Sequence, residues 1–178
     1  CTDVLINGGF ESNASWIFRS NPVLAGYVTN PVLAGQRSLR TGVAAGGANV
    51  ESYSPAEQTV TIPSWAVSAQ LRFSRYNVLG ETAAVGAASI EEMVMPTTEA
   101  ELAATSLPSD FFYVIVIRSD GTIDWLLREQ VNNLNWREIT LNLSQYKGQT
   151  IRLQFGTYNN GLYGTSRTFV DSASLVIC

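Results

Sequence analysis

The sequence predicts an all-β fold, an antiparallel β-sandwich of the jelly-roll type with about ten strands. Three observations carry that prediction. Short runs rich in β-branched and aromatic residues recur along the chain. Several alternate apolar with polar side chains, the pattern of a sheet with one buried and one wet face. Gly, Asn and Asp clusters punctuate them where a chain must turn.

In chain order, residues 59–63, 68–76, 111–119, 122–129, 136–144, 150–158 and 167–177 read as strands. Within 150–158, Ile151, Leu153 and Phe155 face one way and Arg152 and Gln154 the other. Leu71 and Phe73 oppose Arg72 and Ser74 in the same manner. Asp120-Gly121 between two strands signals a hairpin. Lys147-Gly148 and Asn159-Asn160-Gly161 are further turns.

Residues 80–110 break the pattern. They are Ala-rich and β-poor, and carry Glu81, Glu91, Glu92, Glu99, Glu101 and Asp110 with no Lys or Arg. Pro96-Thr97-Thr98-Glu99-Ala100-Glu101-Leu102 reads as a helix start, with a Thr cap and acids in the first turn. The segment is therefore an insertion between two strands carrying one short helix. Its apolar residues, among them Ile90, Met93, Val94 and Met95, either pack on the sandwich or meet a partner. The 178 residues otherwise suit one domain, 1–178, with a sizeable core.

Composition excludes several classes. Half-apolar and poorly charged, the chain is not disordered. No apolar run approaches the roughly 20 residues of a membrane-spanning helix. A net charge of −4 with no basic stripe argues against nucleic acid. The absence of His removes the commonest general base and most transition-metal sites, leaving oxygen ligands, the set that Ca²⁺ takes. Glycosidases work with two carboxylates alone, but acids clustered in an insertion usually form a solvated face; the expectation is no enzyme.

The two cysteines are the first and last residues, Cys1 and Cys178. An intrachain clasp made in an oxidising compartment is one reading. A lipid-modified Cys1 and disulfides between neighbouring chains are the others. The start at Cys1, without Met, reads as a processed product or an excised piece. If the termini pair as antiparallel neighbours, partner numbers sum to about 179. Asp171, an acid inside an apolar strand, then falls opposite Gly8, with Glu11 one turn further on. Two carboxylates beside glycine carbonyls make a Ca²⁺ site. The alternative is that Asp171 caps backbone amides and Glu11 is a solvated turn residue.

Asn7-Gly-Gly-Phe-Glu11 followed by Trp16, Gly35-Gln-Arg-Ser-Leu-Arg-Thr-Gly42, the segment 141–159 and Phe169-Val-Asp-Ser-Ala-Ser-Leu175 together resemble extracellular bacterial jelly-roll modules related to carbohydrate-binding modules and MAM-like domains. The resemblance covers the chain apart from the insertion and part of 20–35. It implies a structural Ca²⁺ held by Glu11, Gly9, the neighbourhood of Gln36, and Asp171. Ser172 stands where those modules carry a second Asp.

A sugar platform needs exposed aromatic faces. Trp125 and Trp136 lie among apolar neighbours and read as core, and Trp16 reads as a plug at one end. Trp65, Tyr53 and Tyr163 are the candidates for ligand contact. One motif stands apart: Asn-Pro-Val-Leu-Ala-Gly occurs twice, at 21–26 and 30–35. The second copy runs into the family-like stretch; the first is extra. One copy is expected to pack under the sandwich and Val23-Leu24 of the other to be exposed or to meet a neighbour, with Met93 and Met95 as further candidate partner contacts. The functional expectation is a secreted, Ca²⁺-stabilised module that binds polysaccharide or a cell-surface glycan. The alternative is a self-assembling subunit of an extracellular filament or surface layer.

Overall fold

The computed structural model describes residues 1–80 and 90–178. Eleven strands form two antiparallel sheets among the described residues. They are β1 (Thr2–Asp3), β2 (Ile17–Phe18), β3 (Gly26–Val28), β4 (Ser38–Gly42), β5 (Glu51–Ile62), β6 (Ala69–Val78), β7 (Phe111–Ile117), β8 (Ile123–Glu129), β9 (Asn133–Asn142), β10 (Gln149–Asn160) and β11 (Arg167–Ile177). Sheet A runs β3–β4–β11–β6–β9, with β1 paired to the end of β11. Sheet B runs β2–β5–β10–β7–β8. This is the expected sandwich.

The alternation in the sequence sets its two inner faces. Leu39, Leu71, Phe73, Val170 and Leu175 of sheet A meet Ala56, Phe112, Val114, Leu153 and Phe155 of sheet B. Trp16 plugs this core as expected, stacked between Phe10 and Phe155, its indole N–H donating to the Asn7 carbonyl at 3.0 Å. Among the described residues one ion pair crosses between the sheets: Arg75 of β6 grips Glu129 of β8 through two hydrogen bonds, and Asn77 adds a third.

Two differences from the expected elements are instructive. β5 begins eight residues before the strand read at 59–63, because Glu51-Ser-Tyr-Ser-Pro-Ala-Glu-Gln58 is too polar to signal a strand. Its Pro55 sits just beyond Ala56, where the two-residue β2 stops pairing, so a missing N–H is tolerated. The terminal pairing does begin with partners that sum to 179, Thr2 with Ile177 and Asp3 with Val176. It then slips: a β-bulge lies between Asp171 and Ser174, Ser172 takes a left-handed φ of 52°, and Gly8 accepts from Ala173 rather than facing Asp171. Cys1 and Cys178 form the intrachain disulfide.

The insertion contains a six-residue helix, α1 (Glu99–Ala104), capped by Thr98, whose hydroxyl accepts from the Glu101 amide. Glu101 reaches back to the Thr97 amide and hydroxyl, which holds its carboxyl below the usual range. Glu81 of the acidic run lies outside the described residues. No helix among them is long and apolar enough to cross a membrane.

Candidate functional site

Strand register builds the outer face of sheet B, the side turned away from the core. β7, β10 and β5 align Ile117–Arg152–Thr59, Ile115–Gln154–Glu57, Tyr113–Gly156–Pro55 and Phe111–Tyr158–Tyr53 in successive rungs. Gly156 is required in its rung. A Cβ there would stand 2.2 Å from the Tyr113 ring, which lies across the strand. The Tyr113 hydroxyl donates to the Gln154 side-chain amide oxygen, Oε1, at 3.1 Å. Burial pushes that hydroxyl far up, so it stays a donor.

The insertion covers part of this face. Met93, Leu102 and Leu107 join Phe111, Tyr113, Ile115, Tyr158 and Tyr53 in a second apolar cluster. Trp125 donates to the Pro96 carbonyl, and Tyr158 exchanges hydrogen bonds with both backbone groups of Leu107. Met93 and Met95 are therefore packed on their own chain, a correction to their reading as partner contacts. The physical reason is the apolar outer face of β7, which would otherwise be exposed.

Beside α1 the face stays open as a trough. One hollow of about 550 Å³ lies between Thr59, Glu99, Arg118, Asp120, Thr150 and Arg152. It shares Glu99 and Ile117 with a second, of about 230 Å³, lined by Arg19, Asn21, Tyr53, Pro55 and Gln154. A third, of about 300 Å³, continues past Asn21 and Tyr53 to Glu51 and Thr105.

A carboxylate hub lies under the trough. Glu57, with its side chain 2% exposed, accepts from Arg19 Nε and Nη2, both at 2.8 Å. It also accepts from Arg152 Nη1 at 3.3 Å and from Gln154 Nε2 at 3.0 Å. Arg152 turns a second nitrogen to Glu99 at the start of α1. These bonds hold Arg152 above the usual guanidinium range, Glu99 contributing most. So one buried acid fixes two guanidiniums and an amide, whose remaining donors line the trough. Spacing alone did not reveal this hub, because Glu57 lies in the polar stretch of β5 that did not read as strand.

The Glu11 and Asp171 pair is a different construction. Asp171, fully buried, accepts from the Leu33 and Ala34 amides at 2.8 and 3.1 Å, and from its neighbour Ser172 at 2.6 Å. Glu11 accepts from the Gln36 and Arg37 amides. Gly35, with φ 71°, allows the approach: a Cβ there would lie 2.3 Å from the Glu11 carboxylate. Both acids thus clamp one loop, the second Asn-Pro-Val-Leu-Ala-Gly. The calcium reading does not fit these partners. The carboxylate oxygens of Glu11 and Asp171 already face amide hydrogens of residues 33–37. No cluster of three or more Asp, Glu, His or Cys side chains occurs among the described residues.

The remaining predicted residues scatter. Tyr53 lines the trough but is buried beneath the insertion, its hydroxyl reaching the Thr105 carbonyl. Trp65, 69% exposed, lies on the loop after β5, and Tyr163 on the loop after β10; neither joins the trough. Leu24 and Leu33, equivalent in the two copies, are both exposed, and Val23 is half-buried. The copies differ at their alanines, Ala25 buried and Ala34 exposed. Trp125 and Trp136, expected in the core, both sit half-buried on outer faces of their sheets, where they pack against Tyr113 and Tyr76.

No family model and no curated protein sequence matches the chain. Solved structures do. A family 61 carbohydrate-binding module in complex with β-1,4-galactotriose superposes with a TM-score of 0.61 at 12% identity, covering 100% of both chains. The xylan-binding family 22 module of a Paenibacillus barcinonensis protein gives 0.52 at 16% identity, over 96% of this chain and 91% of that one. A cleaved adhesin domain of Lys-gingipain from Porphyromonas gingivalis gives 0.55 at 10% identity, over 93% and 92%. At these identities the likeness is one of fold: the β-sandwich of carbohydrate-binding modules.

Proposed function

We propose that the chain is a non-catalytic, extracellular module that binds polysaccharide or a cell-surface glycan in the trough on the outer face of sheet B. The observation that carries this is the hub: Arg19, Arg152 and Gln154, pre-set by buried Glu57, present fixed donors along an open groove. Sugar hydroxyls are recognised by such fixed donors and acceptors, and pre-setting them lowers the ordering cost of binding. The trough follows β5 from Tyr53 to Thr59, about 20 Å at strand rise, enough for a short stretch of glycan chain. Its acids suit binding better than hydrolysis. Glu57 has its oxygens filled by donors and Glu99 is paired with Arg152. The terminal disulfide supports an oxidising, extracellular setting.

Galactan and xylan, the sugars named for two structures of this fold, are the first probes. In affinity gel electrophoresis the wild-type chain is expected to be retarded by at least one of them. Arg19→Ala, at a side chain 55% exposed, is expected to remove that retardation while lowering the melting temperature by no more than about 4 °C. No retardation by either glycan, or equal retardation of the variant, would sink the reading.

A further inference from the structure

The outer face of sheet A carries a second constellation, on the opposite side of the molecule from the trough. A row of side chains crosses four adjacent strands. Arg40 of β4 pairs with Phe169 of β11, and Phe169 pairs with Tyr76 of β6. Tyr76 meets Trp136 of β9 ring to ring at 5.8 Å, and Phe169 on its other side at 6.0 Å. The row spans about 14 Å at the spacing of neighbouring strands. Phe169 is buried within it, while Tyr76 and Trp136 are half-buried.

The Arg40 end of the row has unspent positive charge. Arg40 donates one hydrogen bond, to the Leu24 carbonyl, and its Nε is buried without a partner. Arg167 lies two residues before Phe169 on the same strand and face, opposite Gly42, which adds no side chain over it. Arg167 makes no side-chain hydrogen bond or ion pair among the described residues. Burial first, and the charge of Arg167 second, hold Arg40 below the usual guanidinium range. Asp171, the next acid along β11, is committed to the clamp. Glu138 stands across β6 on β9, opposite Ser74 rather than beside Arg167.

Two like charges held together without a counter-ion, beside a row of aromatic rings, are matched by an anionic group on a ring-shaped ligand. We propose that the outer face of sheet A is a second ligand surface, taking an acidic polysaccharide whose sugar rings lie along Trp136 and Tyr76 and whose anionic group meets Arg40 and Arg167. The anion is a uronate carboxylate or a sulfate ester. The proposal does not depend on the trough.

The test is affinity electrophoresis in polygalacturonate, in dextran sulfate and in neutral galactan. The protein is acidic overall, so retention by an acidic polymer requires a local site. Wild type is expected to be retarded by one of the two acidic polymers, which identifies the anion, and less so at high salt. Arg167→Gln is expected to weaken that retention by about tenfold or more. Trp136→Ala weakens it at all salt concentrations, and Arg19→Ala in the trough leaves it unchanged. Retardation by neither acidic polymer overturns the proposal, as does retention of folded Arg167→Gln equal to wild type. Retention lost in Arg19→Ala but kept in Arg167→Gln overturns it by moving the anion to the trough. Self-association abolished by Arg167→Gln, with no glycan retention, overturns it in favour of a second copy.

Discussion

Two carboxylate centres, both tied to strands of the sandwich, satisfy their oxygens in opposite ways. Asp171 and Glu11 are held by backbone amides of residues 33–37. Glu57 is held by the ends of long side chains, Arg19, Arg152 and Gln154. Backbone amides cannot turn to water when their acceptor is lost, so the first centre is bound up with the fold. Guanidiniums that are partly exposed can turn to water or to a ligand, so the second suits recognition. The difference lies in the partners rather than in the depth of the acid, since Asp171 and Glu57 are both buried.

The sharpest way to break the comparison is Asp171→Asn. The shape is kept, but an amide donor replaces an acceptor among the Leu33, Ala34 and Ser172 amides. The expected loss is about 3 kcal/mol, since hydrogen bonds to a charged group are lost and buried donors are left unmade. Thermal melting should fall by about 10 °C for a domain of this size. Glycan retardation by the folded fraction should persist. A loss of glycan binding without a loss of stability would reverse the assignment of the two centres.

Gly156→Ala comes next. The new Cβ meets the Tyr113 ring, which is fully buried and can move only by disturbing its packing. Overpacking of this kind costs about 2 kcal/mol. Tyr113 must shift off Gln154, so retardation in galactan or xylan should fall together with the melting temperature. Both readouts moving in this one variant would show that the Tyr113–Gly156 contact couples the hub to the fold.

Glu57→Gln should show the opposite balance from Asp171→Asn. Arg19 and Arg152 retain 55% and 26% side-chain exposure, and Arg152 keeps Glu99. The stability loss should be about 1 kcal/mol, the range of partly exposed ion pairs. Glycan retardation should be lost, because the donors lose their common anchor. Chemical denaturation and affinity electrophoresis of the same preparation check both halves.

Legibility in the sequence followed the same division. Strand periodicity exposed the core, because Leu71, Phe73, Leu153 and Phe155 alternate with polar residues. The terminal disulfide, the capped helix and the residues of the clamp were also visible. The hub was not, since Ser54, Pro55, Glu57 and Gln58 fall outside the run read as strand and only cross-strand register brings Glu57 beside Gln154 and Arg152. Nor was the location of Trp136: an aromatic among apolar neighbours looks the same on either face until the partner strand is known. The doubled Asn-Pro-Val-Leu-Ala-Gly shows the limit most directly. Gly35 is needed for the approach of Glu11, whereas a Cβ on its twin Gly26 would meet nothing within 4 Å. The same six residues do different work because different strands lie beside them.

The smallest expected effect is on calcium, and it bears on the clamp alone. A cation bridging Glu11 and Asp171 needs carboxylate lone pairs and inward carbonyls. In this chain the lone pairs are directed at four backbone N–H groups of one loop: Leu33, Ala34, Gln36 and Arg37. Those hydrogens carry the positive charge that a cation would bring. Millimolar calcium or a chelator should therefore leave the melting temperature unchanged, while Glu11→Gln should lower it equally in both. A rise in melting temperature with calcium that Glu11→Gln abolishes would mean that the loop opens to admit the ion. The two carboxylate centres would then differ in ligand, not only in partner: one for a metal and one for a sugar.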